Sequence, residues 1–133
     1  MFIRIGEGEF DLKTNLGTVK RIEERFKMPI TGVFSHLGEA HVSEIISLLS
    51  FGLGGMERAK EIGFVAAVED ELDYAGLWEI IQPYIASMIF SGTPERQEEK
   101  IEKSDFGEDQ KNVFRGLLGL PNKMAPDMSI PEI

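Results

Sequence analysis

Between Leu77 and Ile89 the chain carries Leu77, Ile80, Ile81, Tyr84, Ile85, Met88 and Ile89, apolar side chains at offsets of 0, 3, 4, 7, 8, 11 and 12. That spacing lays a wide apolar stripe along one side of an α-helix, and a stripe so wide must be covered by other elements. The segment therefore predicts the central core helix of a helical domain. Pro83 removes one backbone hydrogen bond within it, so the expectation is a kink or a helix beginning near Gln82. Trp78 falls at the edge of the stripe.

Upstream, two short alternating segments, Phe2-Ile3-Arg4-Ile5 and Glu9-Phe10-Asp11-Leu12, flank Gly6-Glu7-Gly8, a glycine-bearing connection suited to a β-hairpin. Thr14 or Asn15 is placed to cap a helix in which Leu16, Val19, Ile22 and Phe26 form one apolar face, ended by Met28-Pro29. Gly17 inside that helix costs about 1 kcal/mol relative to Ala, which predicts a late helix start or close packing of another backbone there. Thr31 can cap a short helix bearing Val33, Phe34 and Leu37, stopped by Gly38. Ser43 is the N-cap candidate for a helix whose stripe is Val42, Ile45, Ile46, Leu49 and Leu53, before Gly52, Gly54 and Gly55 break it. A further helix carries Phe64, Val65, Val68 and Leu72.

The fold class expected from these elements is α+β, mainly α: an N-terminal β-hairpin, a compact bundle of about five helices and a C-terminal amphipathic segment. Residues 1–92 read as a single globular domain, 93–107 (through the nearly all-charged ERQEEKIEKSDFG) as a linker or exposed helix, and 108–133 as a short amphipathic helix with a Pro121, Pro126, Pro131 ending. In that last segment Val113, Phe114, Leu117 and Leu118 share a face. A helix so short is marginal alone and needs a surface to pack on. The surface is either the protein's own core or another chain, in which case Phe114, Leu117 and Leu118 are the partner-binding anchors.

Charge narrows the function. The net value is -9, yet residues 1–60 are balanced, so the excess lies downstream. From Glu61 to Glu79 there are six acids and no Lys or Arg, with Glu69, Asp70, Glu71 and Asp73 crowded together, whereas the first helix carries Lys20, Arg21, Arg25 and Lys27. The acids near that helix end oppose its dipole. Nucleic-acid binding is disfavoured, because phosphate contact requires clustered basic side chains. A solvated acidic face that maintains solubility is one reading; complementary basic and acidic patches for self-association, or for a basic partner, are the other.

No enzyme is expected. The chain has no cysteine, which excludes disulfides, thiolate nucleophiles and sulfur-ligated metals. His36 and His41 are five residues apart, roughly 140° around a helix, and do not share a face. Gly52-Leu53-Gly54-Gly55 lacks the later glycine of a dinucleotide fingerprint and the Lys-Ser/Thr of a phosphate loop, and follows a helix rather than a strand. The acids at 69–73 lack the alternating oxygens and glycine of a calcium loop. No cofactor or metal is expected. Without an apolar run of ~18 residues or a charged leader before an apolar core, the expectation is a soluble cytoplasmic chain.

One resemblance adds to this. Glu9-Phe10-Asp11-Leu12, Leu16-Gly17-Thr18-Val19, Ile22-Glu23-Glu24-Arg25-Phe26, Pro29-Ile30, and Val42-Ser43-Glu44-Ile45-Ile46-Ser47-Leu48-Leu49 leading to Gly52-Leu53, resemble the small tail assembly chaperones encoded by tailed phages, prophages and gene transfer agents. The helices at Phe64-Val65 and at Leu77 to Ile89 are similar to the continuation, so the likeness covers residues 1–92. It implies a non-enzymatic protein of the host bacterial cytoplasm that binds the tape measure protein, helps recruit tail tube subunits and self-associates. In such an oligomer Lys20, Arg21, Arg25 and Lys27 would meet Glu69, Asp70, Glu71 and Asp73. The alternative is an acidic regulatory or antitoxin-like module that neutralises a basic partner.

Overall fold

The computed structural model describes residues 1–121. Two strands, β1 (Phe2–Ile5) and β2 (Gly8–Asp11), precede eight helices: α1 (Leu16–Phe26), α2 (Ile30–His36), α3 (Val42–Phe51), α4 (Met56–Glu61), α5 (Phe64–Glu71), α6 (Tyr74–Ile89), α7 (Pro94–Lys103) and α8 (Glu108–Leu117). A single 3-10 turn, Leu37–Glu39, follows α2. The fold is thus a hairpin followed by a mainly helical chain. Pro126 and Pro131 lie outside the described residues.

Two compact units divide the chain, Met1–Ile89 and a second beginning at Phe90. In the first, β1 and β2 pair antiparallel with Phe2 opposite Asp11 and Ile5 opposite Gly8. Their connection, Gly6-Glu7, needs a glycine at Gly6, whose φ is 60°. One face of the hairpin, with Ile5 and Phe10, packs on α5, where the Phe10 and Phe64 rings meet edge-on at 5.1 Å. Around α3 lie α1, α4 and α5, and α6 packs on α2. Ile22, Leu48, Leu49, Phe64, Ile81 and Ile85 are fully buried in the shared core.

Local chemistry explains most of the helix ends. Asn15 caps α1 through its side-chain oxygen, which accepts from the Thr18 N–H at 2.9 Å. At the other end Lys27 takes the left-handed conformation, φ 58°, and closes the helix onto the Glu23 carbonyl. Helix α2 starts one residue before Thr31, since its first N–H, from Ile30, is satisfied by the Glu23 carboxylate at 2.8 Å, supplied by α1. Likewise α3 begins at Val42 with His41 as cap, not Ser43: the Glu44 carboxylate reaches back to accept from the His41 N–H at 2.8 Å.

Helix α6 runs through Pro83 from Tyr74, which leaves out the second of the two forms expected there, a start near Gln82; Glu79, whose carbonyl Pro83 deprives of its helical donor, lies at a solvent-exposed position. Two expectations are corrected. Helix α1 begins at Leu16, and the nearest atom to a Cβ placed on Gly17 is Asn15 Oδ1 at 3.7 Å, so neither a late start nor a close backbone accounts for that glycine. Six helices rather than about five precede Phe90, the additional one being α4, which buries only Ala59 and so lacks an apolar stripe.

Tyr84 links α6 to the segment after the hairpin. Its hydroxyl donates to the Lys13 carbonyl at 2.6 Å. Burial pushes the phenol well above its usual range, and nearby Arg21 offsets this in part. Gly52, whose carbonyl accepts from the Lys13 N–H at 2.9 Å, leaves room for that hydroxyl; a Cβ there would run into it.

The second unit is built on aromatic rings. Phe90 meets Phe114 at 4.9 Å, and Phe106 meets Phe114 at 5.1 Å. Helix α7, capped by Thr93 with Pro94 at its first position, packs on α8 and buries Ile101. The charged stretch is thus helical over Pro94–Lys103.

Candidate functional site

Two helix starts and one helix end converge in the first unit. His41 is extended before α3, and Leu72 is extended between α5 and α6. Asp73 then caps the start of α6 by accepting the Gly76 N–H at 2.7 Å. Between these ends lies an open cleft of about 330 Å³, lined by Val42, Ser43 and Ile46 of α3, Val68 and Glu69 of α5, then Leu72, Asp73, Tyr74 and Leu77. Its size is at the lower end of ligand sites, about 300–1,000 Å³.

The lining is chemically divided. Val68, Leu77 and Ile46 are buried and form an apolar floor, whereas Val42 and Tyr74 stand at the opening with 44% and 56% of their surface exposed. The Tyr74 and Trp78 rings meet edge-on at 6.1 Å. Glu69 and Asp73 supply the polar edge. Glu69 occupies the last turn of α5, where the helix dipole disfavours an acid. Such a surface suits an apolar side chain with a cation beside it.

The four acids Glu69, Asp70, Glu71 and Asp73 line two different hollows. Glu69 and Asp73 edge the cleft just described, while Asp70 and Glu71 line a second hollow of about 490 Å³ against the hairpin turn, beside Glu7 and Ile62. All four are exposed, and among the described residues none pairs with a Lys or Arg. The same is true of Lys20, Arg21, Arg25 and Lys27 on and just after α1, although Arg25 lies over the Phe26 ring at 5.5 Å. Leu16, expected on the buried face of that helix, is instead 83% exposed in its first turn. Val42, expected on the buried stripe of α3, is at the mouth of the cleft.

In the second unit Phe114 is buried in the aromatic cluster, and Leu117 and Leu118 are half-buried. The residue that sequence reasoning missed is Arg115. It is 0% exposed and holds the Glu98 carboxylate with two parallel hydrogen bonds of 2.9 Å, Glu102 at 2.8 Å and Asn112 at 2.8 Å. Its hydrogen bonding to Glu98 raises an already high pKa, against the opposing effect of burial. The signal in the sequence is the spacing of Glu98 and Glu102, four apart on one face of α7.

His36 and His41 lie in separate elements, and His36 Nδ1 stands 3.9 Å from Glu39 Oε2. Among the described residues no group of three or more His, Cys, Asp or Glu is gathered to hold a metal, and no helix is long and apolar enough to cross a membrane. In comparisons with known proteins, no family model, no curated protein and no solved structure matches this chain.

Proposed function

We propose that this chain is a non-enzymatic protein-binding module, a tail assembly chaperone that binds a tape measure protein and helps recruit tail tube subunits. The observation that supports the reading is the cleft at the junction of α3, α5 and α6: an open apolar floor edged by unpaired carboxylates on an acidic protein. A chaperone for a long, aggregation-prone helical client needs apolar docking points on a surface whose charge keeps the loaded complex dispersed. The resemblance across residues 1–92 supplies the identity of the client.

Co-expression tests it. A tape measure fragment from the same genome, insoluble alone, becomes soluble with this chain and co-purifies with it; Val42→Glu, which places a charge at the mouth of the cleft, lowers the soluble yield several-fold. A fragment that stays insoluble beside well-folded chain overturns the reading.

A further inference from the structure

We propose that the outward side of α5 seats a basic amphipathic helix of a partner protein, which lies across α5 with one apolar side chain in the cleft and another in the hollow beside the hairpin turn. The proposal rests on the reading of the cleft as a protein-docking site and adds the chemistry of what docks there. The two cavities flank one helix. Val68 and Glu69 of α5 line the cleft, whereas Ala66, Ala67, Asp70 and Glu71 line the hollow. At about 100° per residue these two sets project from opposite sides of the helix, roughly 180° apart. Phe64 is buried toward the core, and exposed Ala66, Glu69 and Asp70 form the ridge between the two grooves. Ala66 is small enough to let another helix lie close on that ridge.

The dimensions suit a helix. With its side chains α5 is about 10–12 Å across, and residues seven or eight apart on a second helix share a face at about the same spacing along its axis. Each groove has an exposed apolar contact at its opening, Val42 and Tyr74 at the cleft and Ile62 at the hollow. Charge then selects the partner. Glu69 and Asp73 edge the cleft, Glu7, Asp70 and Glu71 the hollow, and among the described residues none of the five pairs with a Lys or Arg. The last turn of α5 holds no base, so the negative end of its dipole adds to theirs. Lys or Arg beside each apolar anchor meets this field, and an acidic helix is repelled by it. The partner segment is thus apolar at i and i+7, with a base next to each.

The probe is a dye-labelled, Ala-rich helical peptide of about 20 residues, carrying Leu at two positions seven apart and Lys beside each, titrated with the full chain. Anisotropy gives the affinity, and emission of Trp78, the single tryptophan, whose ring meets that of Tyr74, reports occupancy of the cleft. Saturable binding with a shift in Trp78 emission is expected, weakened several-fold when the Lys are replaced by Glu or the two Leu are set five apart. Val42→Gln in the cleft and Ile62→Gln at the hollow should each weaken it several-fold. Asp70→Lys should weaken the Lys peptide and strengthen the Glu peptide, a gain that a misfolded variant would not show. Equal binding of the Lys and Glu peptides overturns the proposal, as does a loss from Val42→Gln with none from Ile62→Gln. A peptide that does not bind, beside a tape measure fragment that the chain keeps soluble, overturns this proposal and leaves the chaperone reading standing; a peptide that binds as described beside a fragment that stays insoluble does the reverse.

Discussion

Tyr84 shows how one residue fastens the first unit. Its hydroxyl, buried beside Gly52, donates to a carbonyl 71 positions earlier in the chain. Replacing it with Phe leaves the Lys13 carbonyl without that donor, at a cost of about 1–2 kcal/mol. The same burial makes stability depend on alkaline pH. An unfolded tyrosine ionises near pH 10, while folded Tyr84 keeps its proton to higher pH because burial penalises the phenolate. The contribution is therefore full below about pH 10 and is lost as pH rises above it. Urea unfolding followed by Trp78 fluorescence should show Tyr84→Phe less stable than the native chain at about pH 8, with the gap narrowing toward about pH 11. A gap that is constant across this range contradicts the burial argument. None of this was legible in the sequence, where Tyr84 is one apolar position in a stripe and Gly52 reads only as a helix stop.

At the scale of elements, legibility followed periodicity. The hairpin, α1, α3, α5 and α6 are all visible as apolar spacing, and Asn15 is recognisable as a cap. What spacing does not convey is where a helix overruns the core it packs on. Leu16 continues the stripe of Val19 and Ile22 by three residues, yet it is exposed at the very start of α1 while Thr18 and Val19 in the same turn are buried. Caps borrowed from elsewhere are equally invisible: Glu23 of α1 satisfies the first N–H of α2. Arg115 is the strongest case, an apparently ordinary basic residue on α8 that is buried because Glu98 and Glu102 of α7 face it together. Arg115→Ala removes the guanidinium that bridges the two carboxylates, and since Glu98 and Glu102 reach solvent the loss should be that of charged hydrogen bonds, about 1–3 kcal/mol. Amide hydrogen exchange should quicken in α7 and α8 while the unfolding transition reported by Trp78 is unchanged. Unaltered protection in α7 and α8 would show that the pairing contributes little to holding them together.

For the whole molecule, the distribution of charge matters more than its total. The net charge of -9 arises wholly beyond residue 60, where the exposed acids on α5 and at the start of α6 pair with no Lys or Arg among the described residues. The cleft itself was not legible in the sequence, because its lining comes from residues 42–46, 68–69 and 72–77, each of which reads separately as helix face or acidic run. Only folding brings them together. The measurement that tests the account most directly is hydrogen–deuterium exchange on the full chain with and without a soluble tape measure fragment. The account predicts slowed exchange on binding in α3 near Val42 to Ile46 and across residues 68–77, with α7 and α8 unchanged. Binding without any slowing in those segments, or no binding at all, would contradict it.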